Sequence, residues 1–317
     1  MKQNLTLDLS WKKISAIILL IFSSFAAGYY FSNSLKNIEV KKISIENKKK
    51  ELLKKEKMFL EGERDKKINF IFNNFYAESI LIKEFSGETI FEKKSDLILP
   101  IASLTKIFNA ITALENTKNK TVLMTNRSLQ AEGDYNIKPY EIFSMNDALR
   151  YMLIGSINDI ASAISFGHTD LVNNWNSFVK NMNIFAKNNS MNSTLFFSEN
   201  GLNITSHIMG AYSTAKDISK VTEYFYINYN SLAMETVKLN DNICSNKKCH
   251  YVENTNIILG DYPEIKFSKT GYTKLAGGSL AVIVEIKNKK YTVIILNSTK
   301  NGRFDDLKKI ISGLKNL

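Results

Sequence analysis

The chain has 317 residues, 44% of them apolar and 23% charged, with a formal net charge of +11, which suits one large or two small globular domains. Residues 1–67 hold 15 basic against 8 acidic residues, a net of +7, leaving only +4 for the rest. A nucleic-acid partner calls for a basic patch on the fold itself, so this distribution argues against nucleic-acid binding.

A short tail, residues 1–13, precedes eighteen residues without a charge, ISAIILLIFSSFAAGYYF, residues 14–31. As a helix this run reaches about 27 Å, close to the hydrocarbon thickness of a bilayer. Lys12 and Lys13 lie ahead of it, and Tyr29 and Tyr30 sit at its far end as interfacial aromatics do. A retained transmembrane anchor is the expectation. The competing reading is a cleaved signal peptide, with Ser24 and Ala26 supplying small residues for cleavage. Both flanks are basic, so charge does not fix the orientation. A short tail inside and a large domain outside is the simpler topology, making this a single-pass protein of the cell membrane.

Residues 32–67 form a charged stalk. Ile38, Ile45, Leu52 and Phe59 recur every seven residues, but the second seam position of a coiled coil is mostly lysine. A solvated helix and a disordered basic linker both remain open.

The composition turns globular over residues 68–317. ESILIKEF and ETIFEKKS around SGE predict a β-hairpin. SLTKIFNAITALEN predicts a helix, and SMNDALRYMLIGSINDIASAISF a helix, turn and helix. EIKFSKTG, GSLAVIVEI and YTVIILNS read as three late strands. RFDDLKKIISGL places Phe304, Leu307, Ile310, Ile311 and Leu314 on one helical face. Strands at both ends with helices between predict an α+β domain: one antiparallel sheet, terminal helices packed on it, and an inserted helical lobe.

Cys244 and Cys249 lie in a polar stretch, DNICSNKKCHY. Outside the cytoplasm a small disulfide loop is the first expectation, free thiols the second. Zinc, with His250 as a third ligand, comes last because the spacing is unusual. His168 and His207 have no cysteine or carboxylate cluster nearby and read as ordinary polar residues. No metal site and no cofactor is expected.

The chemistry-bearing residues fall in three short motifs. Ser103 and Lys106 in SLTK are spaced i, i+3 on a predicted helix and so share a face. A serine hydroxyl becomes a good nucleophile only when a base takes its proton, and a lysine of lowered pKa can be that base. Ser156, Ile157 and Asn158 follow 53 residues after Ser103, in the turn between two helices. Lys269, Thr270 and Gly271 follow 113 residues after Ser156, at the end of a predicted strand. Each motif alone is modest evidence in a chain this rich in lysine and asparagine. In this order, each in a fitting element, they form the set of penicillin-binding proteins and serine β-lactamases.

Residues 70–317 resemble the D-alanyl-D-alanine carboxypeptidases, the low-molecular-mass penicillin-binding proteins. LPIASLTKIFNAITALE resembles their nucleophile helix, MLIGSINDIASAIS their second motif, NGLN and AYSTAKDIS their middle segments, and KTGYTKLAGGSLA their third motif and next strand. The resemblance implies a transpeptidase-like fold shared with β-lactamases, and hydrolysis of D-Ala-D-Ala on peptidoglycan stem peptides through an acyl-enzyme. It also implies inhibition by β-lactams. Two departures stand out. Isoleucine occupies the middle of Ser-Ile-Asn where many members have glycine. The chain also stops soon after its last helix, so the C-terminal β domain and tail anchor of many members are expected to be absent, with the N-terminal anchor in their place.

On this resemblance Ser103 attacks the penultimate D-alanine carbonyl and Lys106 acts as base, its pKa lowered by cationic neighbours such as Lys269. Ser156 relays the proton to the leaving amine, and Asn158 holds Lys106 or the substrate amide. Gly271 leaves room for the substrate along the strand edge. The backbone N–H groups of Ser103 and Tyr272 form the oxyanion hole. Lysine outnumbers arginine 38 to 4, and Arg303 opens the last helix beside the last strand. With Lys269 and Thr270 it is expected to select a terminal carboxylate, which guanidinium binds through two parallel hydrogen bonds.

Two rivals share the fold: a DD-endopeptidase and a β-lactamase. The β-lactamase class with Lys-Thr-Gly uses a further glutamate, in Glu-x-x-Leu-Asn. The nearest match, ETVKLN from Glu235, has one residue too many and follows Ser156 by 79 residues. The non-enzymatic rival is a membrane-tethered scaffold that only binds cell-wall partners.

Overall fold

A computed structural model describes residues 11–116, 119–133, 135–166 and 174–317. The chain divides into two compact units at Lys67/Ile68. Helix α1 (Trp11–Ile71), most of which falls in the first unit, runs for 61 residues and is long and apolar enough to cross a membrane. Residues 32–67 lie within this helix. Glu46 pairs with Lys50 at 3.0 Å and Glu51 with Lys55 at 2.7 Å, both with glutamate four residues ahead of lysine. That order supports an exposed helix, by a few tenths of a kcal/mol per pair.

In the second unit the predicted hairpin forms as β1 (Ser79–Glu84) and β2 (Thr89–Lys93). The late strands are β3 (Ile265–Thr273), β4 (Gly277–Ile286) and β5 (Lys289–Ser298). They make one five-stranded antiparallel sheet in the order β3-β4-β5-β1-β2, so the first hairpin joins the last strand, with Ile80 opposite Ile295 and Ile82 opposite Val293. The period-two alternation of a strand gives this sheet two apolar faces. Ile80, Ile82, Val282, Val284, Val293 and Ile295 point to one side. There they pack with Phe304, Leu307, Ile310, Ile311 and Leu314, the apolar face of the terminal helix (Gly302–Asn316). Leu81, Ala281, Ile283, Ile294 and Leu296 point to the other and join the larger core.

The larger core belongs to the helical lobe. Helix α2 (Thr105–Asn116) is buried nearly from end to end. Around it lie α3 (Met145–Ile154), α4 (Asn158–Phe166), α5 (Asn174–Asn188), α6 (Ala215–Asn228) and the short α7 (Asn230–Glu235); the terminal helix is α8. Ser144 caps α3 by accepting from the Asp147 N–H at 3.0 Å. Arg150 on α3 pairs with Asp147, with Glu235 on α7, and with Asp241. Glu235 also pairs with Lys238 at 2.5 Å. The glutamate of ETVKLN is thereby committed to lobe packing.

Asp241 lies in a hairpin of strands Asn240–Cys244 and Cys249–Glu253, closed by a Cys244–Cys249 disulfide. The thiols are thus paired with each other and not with His250. That ring lies 2.6 Å from the buried Glu141 carboxylate, a hydrogen-bond partner 109 residues away that the local reading of the histidines missed. His207 is exposed, and His168 lies outside the described residues.

Candidate active site

The Ser-Leu-Thr-Lys motif does not begin as a regular helix. Ala102–Leu104 is a single 3-10 turn, and Ala102 has φ +47°, a left-handed conformation that L side chains disfavour. The turn presents Ser103 half-buried at the head of α2 and places Lys106 beneath it, fully buried. The Lys106 Nζ donates to Ser103 Oγ at 2.9 Å, to Asn158 Oδ1 at 2.8 Å and to the Asn200 carbonyl at 3.0 Å. Three acceptors for three ammonium hydrogens fix the nitrogen under the hydroxyl.

Burial pushes the Lys106 pKa down to about 7, with the Glu199 carboxylate opposing it. The sequence expectation that Lys269 does the lowering is therefore revised: desolvation is the main cause. Lys269 is buried too. Its pKa lies well below the ordinary lysine value through burial first, then through Lys106 and Arg303.

Ser156, in the turn between α3 and α4, and Asn158, at the head of α4, form the second wall. Ser156 has φ +60°, a left-handed position that costs about 1–3 kcal/mol and recurs where a site is built. The departure at Ile157 has a packing cause. Its side chain is 3% exposed and turns into the lobe core. A Cβ on Gly155 would stand 2.8 Å from Ile157 Cδ1, so the glycine one place ahead of Ser156 makes the room. Asn158 also donates from Nδ2 to the Glu132 carbonyl at 2.7 Å and to the Tyr135 hydroxyl at 3.3 Å, which ties it to the cleft's outer rim.

The third wall is β3, which runs on past Lys-Thr-Gly to Thr273 and is an edge strand of the sheet. A Cβ on Gly271 would lie 2.9 Å from the Ile101 carbonyl oxygen and 3.0 Å from the Ser103 nitrogen. Only glycine lets the strand pass this close to the Ser103 turn. Thr270 shares a 2.6 Å hydroxyl contact with Thr255, and Lys269 Nζ donates to the Thr270 carbonyl at 2.9 Å. Arg303 is 6% exposed, lies over the Phe304 ring, and donates from Nη1 to the Gly271 carbonyl. Burial brings its pKa down to about 10, so it stays charged at neutral pH.

Two adjoining hollows open on Ser103. One, of about 240 Å³, is lined by Ser156, Asn158, Thr255, Thr270, Gly271 and Arg303 among others. The other, of about 470 Å³, runs past Glu132, Tyr135, Leu202, Tyr272 and Lys274. Seven of the nine sequence-predicted residues line this cleft, with Lys106 buried beneath Ser103 and Lys269 set behind the wall. Sequence reading missed Glu199, Asn200, Tyr135 and Thr255. The NGLN turn was the one local signal for Asn200.

The arrangement supplies a hydroxyl with an amine beneath it, an unpaired strand edge beside it, and fixed positive charge beyond. That is what acyl transfer from a peptide bearing a carboxylate requires. A family model described as D-alanyl-D-alanine carboxypeptidase matches residues 73–300. The D-alanyl-D-alanine endopeptidase of Haemophilus influenzae is 30% identical over 239 residues, 71% of this chain and 77% of its own. D-alanyl-D-alanine carboxypeptidase DacF of Bacillus subtilis is 25% identical over 229 residues, 70% of this chain and 57% of its own. Among solved structures, penicillin-binding protein D2 of Listeria monocytogenes in its ampicillin-bound form superposes with a TM-score of 0.65 at 26% identity, covering 75% of this chain and 97% of that one. A D-alanyl-D-alanine carboxypeptidase of Mycobacterium tuberculosis shares the fold, with a TM-score of 0.70 at 21% identity over 78% of this chain and 93% of that one. The chain belongs to the D-alanyl-D-alanine carboxypeptidase family of serine hydrolases.

Proposed function

We propose that this family member removes the terminal D-alanine from peptidoglycan stem peptides through an acyl-enzyme on Ser103. The observation that carries the reading is the buried Lys106 amine, 2.9 Å from Ser103 Oγ, with a pKa brought down to about 7. Half-neutral at physiological pH, it is poised to accept the Ser103 proton. The peptide lies along the β3 edge with its terminal carboxylate toward Thr270 and Arg303. As Ser103 Oγ bonds to the carbonyl carbon, its proton passes to Lys106 and the carbonyl π pair moves onto oxygen. The N–H groups of Ser103 and Tyr272 hold that oxyanion, each such donor being worth about 3–4 kcal/mol. The C–N bond then breaks, and Ser156 relays the proton to the departing nitrogen, so D-alanine leaves as the amine. Water clears the ester, again with Lys106 as base.

The same site suits β-lactams, whose strained amide presents an equivalent carbonyl and carboxylate. Listeria monocytogenes penicillin-binding protein D2 has been solved with ampicillin and with cefotaxime. Cross-link cleavage is the second reading, because the relatives from Haemophilus influenzae and Escherichia coli are named endopeptidases. Residues 1–13 form a cytoplasmic tail, residues 14–31 a single-pass anchor and residues 32–67 a stalk, placing the peptidase domain of residues 68–317 on the outer face of the cell membrane. Incubation with a peptide ending in D-Ala-D-Ala tests the activity: free D-alanine should accumulate, and the Ser103→Ala protein should release none. Release by that variant would place the nucleophile elsewhere.

A further inference from the structure

Beneath Lys106 lies a carboxylate to which no step above assigns a part. Glu199 is 4% exposed and belongs to the segment that also supplies the Asn200 carbonyl to Lys106. Its Oε1 accepts from Ser162 Oγ on α4 at 2.5 Å and from Asn200 Nδ2 at 3.1 Å, while its backbone carbonyl accepts from Asn109 Nδ2 on α2 at 2.9 Å. A buried carboxylate is costly to keep charged unless it is hydrogen-bonded and paired with positive charge, and the cation it acts on here is Lys106.

We propose that Glu199 is a positioning residue of the acylation step, whose buried negative charge stabilises the ammonium that forms when Lys106 takes the Ser103 proton. This rests on Lys106 being the base. The need follows from the neighbours. Lys106 faces Ser103 on the 3-10 turn that leads into α2, Asn158 on α4, and Lys269 on β3, behind which stands Arg303 from α8. Tyr135 reaches it only through Asn158. A new cation at Lys106 is thus created out of water and beside other positive charge, and Glu199 is the acidic group that acts on it. The attraction grows as the proton arrives, so it favours the transition state over the resting neutral amine. It acts through space and through Asn200, whose side chain Glu199 holds while the same residue's carbonyl holds Lys106 Nζ.

Glu199→Gln tests this, because it keeps one acceptor oxygen and the side chain's shape while removing the charge. The readout is the pH dependence of acylation of the full-length, detergent-solubilised protein by a fluorescent penicillin. The expected result is a midpoint shifted toward acid by about one pH unit. The plateau should fall roughly threefold, because a weaker base takes the proton less readily. Glu199→Asp should hold the midpoint closer to the parent. A role in packing alone would lower the plateau without moving the midpoint, and that outcome overturns the proposal. Lys106→Ala, run alongside, separates the two failures: if it acylates at the parent rate, the base assignment itself is wrong and Glu199 has nothing to stabilise.

Discussion

The lowered pKa of Lys106 fixes how acylation should depend on pH. With Lys106 as the proposed base, the competent form is the neutral amine, so the rate should rise as the proton is lost. With a midpoint of about 7, roughly a tenth of the protein is competent at pH 6 and nine-tenths at pH 8, a rise of about tenfold that levels off above pH 8. An ordinary lysine, at 10.5, would stay protonated throughout, and the rate would climb about a hundredfold over the same two units without levelling. Stopped-flow measurement of the second-order rate of acylation by a fluorescent penicillin, from pH 5 to 9, separates the two. A log rate rising with unit slope to pH 9 would refute the argument from burial. A flat profile would refute lysine as the base. The same lowering bears on folding: between about pH 7 and 10.5 the unfolded chain holds the proton that the folded one has lost. In that window stability should therefore rise with pH.

Arg303→Ala should reduce kcat/KM on peptides ending in a free carboxylate by about ten- to a hundredfold, the worth of a charged hydrogen bond. The same peptide amidated at its C-terminus should lose far less, and equal losses would show that Arg303 serves only to hold the Gly271 carbonyl. For the anchor, the protein should sediment with membranes and keep its N-terminal residues. A mature chain beginning just after Ala26 or Ala27 would establish a cleaved signal instead.

Much of the fold was legible because it rests on short-range pattern. The period-two apolar residues of GSLAVIVEI and YTVIILNS and the 3.6-period face of RFDDLKKIISGL name their elements, and antiparallel pairing of the first and last strands follows from burying both. The meeting of Ser103, Ser156 and Lys269 was legible only through motif order, since nothing local says that residues 53 and 113 apart converge. What the sequence hid is what only tertiary packing creates. The Asn200 carbonyl reaches Lys106 from 94 residues away, His250 meets Glu141 across 109, and Thr255 meets Thr270 from the loop before β3. Backbone and side-chain contacts of this kind leave no spacing to read. The cause of the Lys106 shift was misjudged for the same reason: charge can be counted along a sequence, whereas burial comes from the fold. Ile157 looked like a flaw in the second motif until Gly155 proved to give it room.

The central claim, a nucleophilic Ser103 served by Lys106, is tested most directly by mass spectrometry after brief exposure to benzylpenicillin. The account predicts one covalent adduct, carried by the peptide containing Ser103, absent from Ser103→Ala and formed far more slowly in Lys106→Ala. An adduct on any other residue, or an undiminished one in Ser103→Ala, would contradict it.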